Sequence, residues 1–149
     1  MTSIIIISVV IFVAYFIFKL TASGGGLLLV PTISGPGRYR FKVVGESHYQ
    51  QNLMKICGAR TESGIDFNTM AQLILESSNP HDNQAVMVLI NSLHVGYLDR
   101  SAARSFRAAI VRAGYGSHTK FQCNAVIKGG WDRGGNDAGM YGVRLDLPE

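Results

Sequence analysis

The chain of 149 residues carries 14 Lys and Arg against 10 Asp and Glu, a formal net charge of +4 and an isoelectric point near 9.3. Setting aside an apolar N-terminus leaves about 110 residues, enough for one buried core and too few for a helicase motor or nuclease beside it. Most of the base lies after residue 37 and favours an anionic partner such as nucleic acid or a lipid headgroup, while Cys57 and Cys123 are too few and too far apart for a disulfide scaffold or a zinc knuckle.

From Ile4 to Phe18 the chain is apolar except for Ser8, and the first charged side chain is Lys19. As a helix, Met1 to Leu20 spans about 30 Å, the thickness of a bilayer core, so residues 1–20 are expected as an N-terminal transmembrane helix. A cleaved signal peptide is the rival; it lacks a basic start, and Thr21-Ala22-Ser23 is a weak cleavage site. Lys19, Arg38, Arg40 and Lys42 all follow the apolar run, which puts the C-terminal domain in the cytoplasm of a single-pass membrane protein. Residues 21–37, with Ser23-Gly24-Gly25-Gly26 and Ser34-Gly35-Pro36-Gly37, read as a Gly/Pro linker, and Leu27 to Val30 within it either touches the membrane surface or packs on the domain.

The domain then occupies residues 38–149. Tyr39 to Val43 alternates apolar and basic residues as a strand ending at Gly45, and Ser47-x-x-Gln50 resembles a capping box for a short helix to Cys57 whose face is Tyr49, Leu53 and Ile56. Residues 59–68 read as a loop, with strands over Met70–Leu75, Ala85–Ile90 and His94–Leu98 and a turn at Asn91-Ser92. Asp99 is a good N-cap for a helix over Ser101–Ala113, with Ala102, Ala103, Phe106, Ala109 and Ile110 inward, Arg100, Arg104 and Arg107 alongside, and Gly114 at its end. Phe121 to Ile127 and Tyr141 to Leu147 alternate as strands around a mobile loop at Gly129–Gly139. About six strands and two short helices fit a mainly β domain, a small barrel of the oligonucleotide-binding type.

Between two of these strands lies Glu76-Ser-Ser-Asn-Pro-His-Asp-Asn-Gln-Ala-Val86. Pro80 fixes its own φ and extends Asn79, and Asn79, Asp82 and Asn83 are of the type that bond nearby backbone amides. Such a turn either merely closes a hairpin or holds His81 and Asp82 out toward a ligand.

This stretch, with Val43-Val44-Gly45 before it and Val95-Gly96-Tyr97-Leu98 after it, resembles the HIRAN domain, a module at the front of some DNA-repair helicases that also occurs alone in bacteria and phages. The resemblance runs from about Tyr39 to about Leu147. It implies an OB-like barrel and a pocket for the free 3′ end of single-stranded DNA. Matched position by position, Ser47 and His48 stand where better-known members have Arg and Tyr, and His81-Asp82 where they have Tyr-Asp. Asp82 keeps the position that accepts a hydrogen bond from the terminal 3′-hydroxyl, and Tyr97 and Arg100 fall where the family places a polar aromatic or imidazole group and a base near the terminal phosphates. The two imidazoles stack with less area than tyrosine rings.

Other chemistries find little support. No His or Cys pair has metal-ligand spacing, no Gly-rich segment has the Lys and Ser or Thr of a phosphate loop, and Ser47-His48 are neighbours without triad geometry, so no metal, cofactor or enzymatic activity is expected. The expected function is a membrane-anchored module binding DNA ends. The alternatives are a structural or protein-interaction module whose DNA site has decayed, and a small hydrolase acting through His48, His81 and Asp82.

Overall fold

A computed structural model describes residues 30–149. The expected transmembrane helix lies outside the described residues, as does the start of the linker; among the described residues no helix is long and apolar enough to cross a membrane.

In chain order the elements are β1 (Thr32–Ile33), β2 (Phe41–Val44), a 3-10 helix (Glu46–Tyr49), α1 (Gln50–Cys57), β3 (Ile65–Leu75), β4 (Val86–Ile90), β5 (Leu93–Leu98), α2 (Arg100–Arg112), β6 (Phe121–Gly129) and β7 (Tyr141–Asp146). Strands β6-β3-β4-β5-β2-β7 follow one another around the sheet, and pairing of β7 with β6 closes them into a six-stranded barrel. The mainly β barrel with two short helices is thus the observed fold.

Alternation along the strands builds the core. Leu73, Val86, Val88, Ile90, Val95, Phe121, Cys123, Ile127, Val143 and Leu145 point inward and are fully buried, joined by Val43 and Leu98 and, from the helices, by Leu53, Ala103 and Ile110. The Cys123 thiol is pushed up to about 12, chiefly by burial and then by the charge of Asp146, which leaves it an unreactive core group. Asp99 caps α2 as expected, its carboxylate accepting from the amides of Ser101 and Ala102. Phe106 and Leu75 are half-buried, and Ala109 faces solvent, so the apolar face of α2 is narrower than the pattern suggested.

Four departures have physical causes. Strand β1 lies within the stretch expected as linker: it runs parallel to β6 at Gln122 and Cys123, before β7 takes up that edge, and it buries Ile33. Asp146, itself buried, accepts from the amides of Gly37 and Arg38 and holds the chain after β1 against the barrel. Strand β3 begins at Ile65 instead of Met70, because β6 offers it partners from Phe121 through Gly129. The loop expected at Gly129–Gly139 is bonded to its surroundings, with Trp131 bridged to Thr61 and Gly139 closing back on the Trp131 carbonyl.

The fourth concerns Gln50, which does not close a capping box. Strand β2 crosses from β7, which it pairs at Phe41 and Lys42, to β5, which it pairs at Val43 and Val44, and so leaves the start of β7, paired with β6 on one side, without a strand on the other. Side chains fill the gap. Gln50 accepts from the Tyr141 amide and donates to the Tyr141 carbonyl, and Glu46 accepts from the Val143 amide. The 3-10 helix is thereby tied to the barrel wall, which positions Ser47, His48 and Tyr49.

Candidate nucleic-acid interface

The turn between β3 and β4 is built from its own side chains. Asn79 Oδ1 accepts from the amides of His81 (2.9 Å) and Asp82 (3.2 Å), and its Nδ2 donates to Glu76 (2.7 Å). Asp82 Oδ1 accepts from the Gln84 amide at 2.9 Å. From outside, Arg107 on α2 donates through Nε to the Gln84 carbonyl (2.8 Å) and through its terminal nitrogen to the Ala85 carbonyl (2.9 Å). One of the three arginines read as a stripe is therefore a clamp on the turn. Asn79 and Asp82 hold backbone amides as expected.

With Oδ1 committed to the backbone, Asp82 presents Oδ2, which faces Arg100 Nε at 3.8 Å. The Arg100 side chain is 77% exposed and that of Asp82 21%. Such a loose, solvated pair costs little to rearrange. It leaves the carboxylate oxygen able to accept from a hydroxyl and the rest of the guanidinium able to meet a phosphate.

A group of rings gathers around β5. Tyr49 and His94 stack at 4.1 Å between centroids, His94 meets Tyr97 edge-on at 4.8 Å, and His48 meets Tyr49 edge-on at 6.5 Å. The Tyr97 hydroxyl is pushed up to about 12 by burial first, then by the Glu76 carboxylate and by Tyr49, so it remains a donor at any physiological pH. Burial lowers the His94 pKa, against the opposing effects of the Gly96 carbonyl at 3.1 Å and the charge of Glu76. His94 is thus neutral at pH 7, a flat uncharged ring. Asn52 of α1 donates to the His94 carbonyl and ties that helix to the same strand.

Of the six residues singled out, Asp82 and Arg100 meet directly, and His48 and Tyr97 belong to one ring group through Tyr49 and His94. Glu76 joins that group to the turn, since it neighbours Tyr97 and binds Asn79. Ser47 and His81 are exposed, one on the 3-10 helix and one at the tip of the turn. Glu76, Tyr49 and His94 are the members that pattern reading missed.

His94 was hidden by a bulge. In a regular strand, residues three apart point to opposite faces. Here the register of β5 against β4 slips between Val88 and Leu89, so that Val95 is extra and His94 and Tyr97 come to one side. Gly96 makes this possible: its φ is +145°, and a Cβ there would press on Val43 and on the Val44 carbonyl. A lone Gly inside a strand pattern was the available signal.

The hydrolase expectation requires His48, His81 and Asp82 to act together. His81 and Asp82 lie on the turn, whereas His48 lies on the 3-10 helix with its ring against Tyr49. Among the described residues no group of three or more His, Cys, Asp or Glu is placed to hold a metal ion.

Neither the curated proteins nor the solved structures compared with the chain contain a match. The HIRAN domain matches over residues 36–126, from the segment that Asp146 holds to the middle of β6, and takes in the turn, the bulged strand and α2. With that match covering well over half of its length, the chain belongs to the HIRAN domain family.

Proposed function

We propose that this HIRAN domain binds nucleic acid without catalysis, taking the 3′-hydroxyl end of single-stranded DNA, and that the apolar segment Ile4 to Phe18 holds it at the cytoplasmic face of a membrane. The observation that carries the nucleic-acid reading is Asp82: a carboxylate fixed by the turn, with one oxygen facing the exposed Arg100, on a turn that Glu76 joins to a set of flat rings. A terminal hydroxyl would donate to Oδ2, the last phosphate would draw Arg100 away from Asp82, and the terminal base would lie against the rings around Tyr97. By the family resemblance His48, His81 and Ser47 stand where better-known members have Tyr, Tyr and Arg, so affinity would rest on fewer charges and smaller rings.

The Asp82–Arg100 pair also supports a second reading, in which the two residues satisfy each other and the barrel serves as a protein-interaction module. Titration of a labelled single strand at increasing salt separates the two. A binder using Arg100 and its neighbours weakens as salt rises, with a log–log slope of about one per phosphate contacted, and Arg100→Ala lowers that slope by about one or less. No binding at low salt leaves the interaction module. For the membrane placement, alkaline extraction should leave the chain in the membrane fraction; release into the supernatant would contradict it.

A further inference from the structure

A second polar site lies at the other end of β3. The turn follows Leu75, whereas Asp66 and Asn68 stand near the strand's start, about 23 to 30 Å away along an extended strand. There the outer faces of β3, β6 and β7 and the segment before β2 enclose a cleft of about 350 Å³ lined by Arg38, Tyr39, Asp66, Asn68, Val126, Lys128 and Arg144. That volume is at the small end of the range for ligand sites, about 300–1,000 Å³.

Register brings the lining together. Asn68, Val126 and Arg144 lie opposite one another across three strands, and Lys42 follows Arg144 on the fourth. Val126 is 2% exposed although it lies outside the barrel core, so it packs beneath the side chains that line the cleft. The remaining wall is held in place. The buried Asp146 carboxylate binds the amides of Gly37 and Arg38, and Tyr39 follows with a φ of +48°, a conformation that non-glycine residues adopt rarely and that is retained where the surroundings impose it. Charge is in excess. Lys128 is paired with Asp66 at 2.8 Å and Arg38 with Glu149 at 3.6 Å, whereas Arg144 has no acidic partner among the described residues.

We infer that this cleft binds a nucleotide unit, its phosphate at Arg144 with Lys128 and Arg38 and its base against the Tyr39 ring, where the Asn68 amide meets the polar edge. Cations alone would take any anion; cations beside an aromatic ring favour a phosphate ester carrying a ring. The unit comes either from a free nucleotide or from a link of a single strand. The site stands independently of Asp82 and of end recognition.

The test is calorimetric titration of the full chain with 2′,3′-dideoxyadenosine 5′-monophosphate, which has no 3′-hydroxyl to engage Asp82. Saturable binding is expected, tighter than that of inorganic phosphate or of the dideoxynucleoside. Arg144→Ala should weaken it about tenfold, the usual loss with a charge-assisted hydrogen bond. Tyr39→Leu should weaken it less. Asp66→Asn should tighten it by freeing Lys128 and removing a like charge, and Asp82→Ala should leave it unchanged. A strand with a dideoxy 3′ end that displaces the nucleotide identifies the strand as the source, and failure to displace identifies the free nucleotide; either supports the site. Absence of saturable binding, binding no better than phosphate, indifference to Arg144→Ala, or displacement by phosphatidylglycerol vesicles but by no nucleotide would overturn the assignment.

Discussion

The two connections on either side of β4 both join neighbouring antiparallel strands, and they differ in how much structure they carry. Asn91 and Ser92 close β4 onto β5 with two residues in left-handed backbone, the compact solution for a hairpin. Between β3 and β4 the chain uses the whole of Glu76–Ala85, with Asn79, Asp82 and Arg107 all bonded to turn backbone. Since two residues suffice to reverse the chain, the additional bonds of the longer turn do more than close it: they fix its backbone at His81 and Asp82 and one oxygen of the Asp82 carboxylate. Asp82 shows the outcome: one oxygen is fixed and the other points outward.

The largest effect is expected from removing the bulge that follows the shorter connection. Gly96→Ala should destabilise the fold by about 2 to 4 kcal/mol, because the new methyl meets Val43 and the Val44 carbonyl in a backbone that L-residues avoid. It should also part His94 from Tyr97. The denaturation midpoint measures the first effect and the His94 ring resonances the second; a neutral change would mean that the bulge does not position the rings.

Arg107→Ala comes next, with an expected loss of about 1 to 2 kcal/mol for bonds to two carbonyls at the turn, together with reduced affinity for single strands although Arg107 need not touch them. Binding at the wild-type level, with only stability affected, would show that the turn holds its shape without the clamp. Ser92→Gly should have the smallest effect. Glycine accepts the left-handed φ of +64° more readily than serine, so stability should rise by at most about 1 kcal/mol and DNA binding should stay the same. A change in binding there would erase the distinction between the two connections.

Much of the fold was legible because its signals are local. The alternation of Phe121 to Ile127, the Asn91-Ser92 turn and the Asp99 cap each lie within a few residues of what they specify. The features that were not legible depend on distant partners. Gln50 fits a capping box locally, yet its bonds go to Tyr141 on another strand. Thr32 and Ile33 look like linker until β6 supplies an edge. At the start of β3, Phe67 is substantially exposed, so alternation is weak and pairing with β6 decides the conformation. The site followed the same rule. Asp82 was marked by its turn, whereas Tyr49 and His94 join Tyr97 only through the bulge and the strand register.

The central claim, that Asp82 is held out to read a hydroxyl end, is tested most directly by fluorescence anisotropy with two short single strands, identical except that one ends in a 3′-hydroxyl and the other in a 3′-phosphate, on wild type and on Asp82→Ala. Wild type should prefer the hydroxyl by about tenfold, since a carboxylate accepts from a hydroxyl and repels a phosphate. Asp82→Ala should bind both strands alike, with the barrel still folded because the turn keeps its Asn79 and Arg107 bonds. Equal binding of both strands by wild type, or full discrimination retained in Asp82→Ala, would contradict the claim.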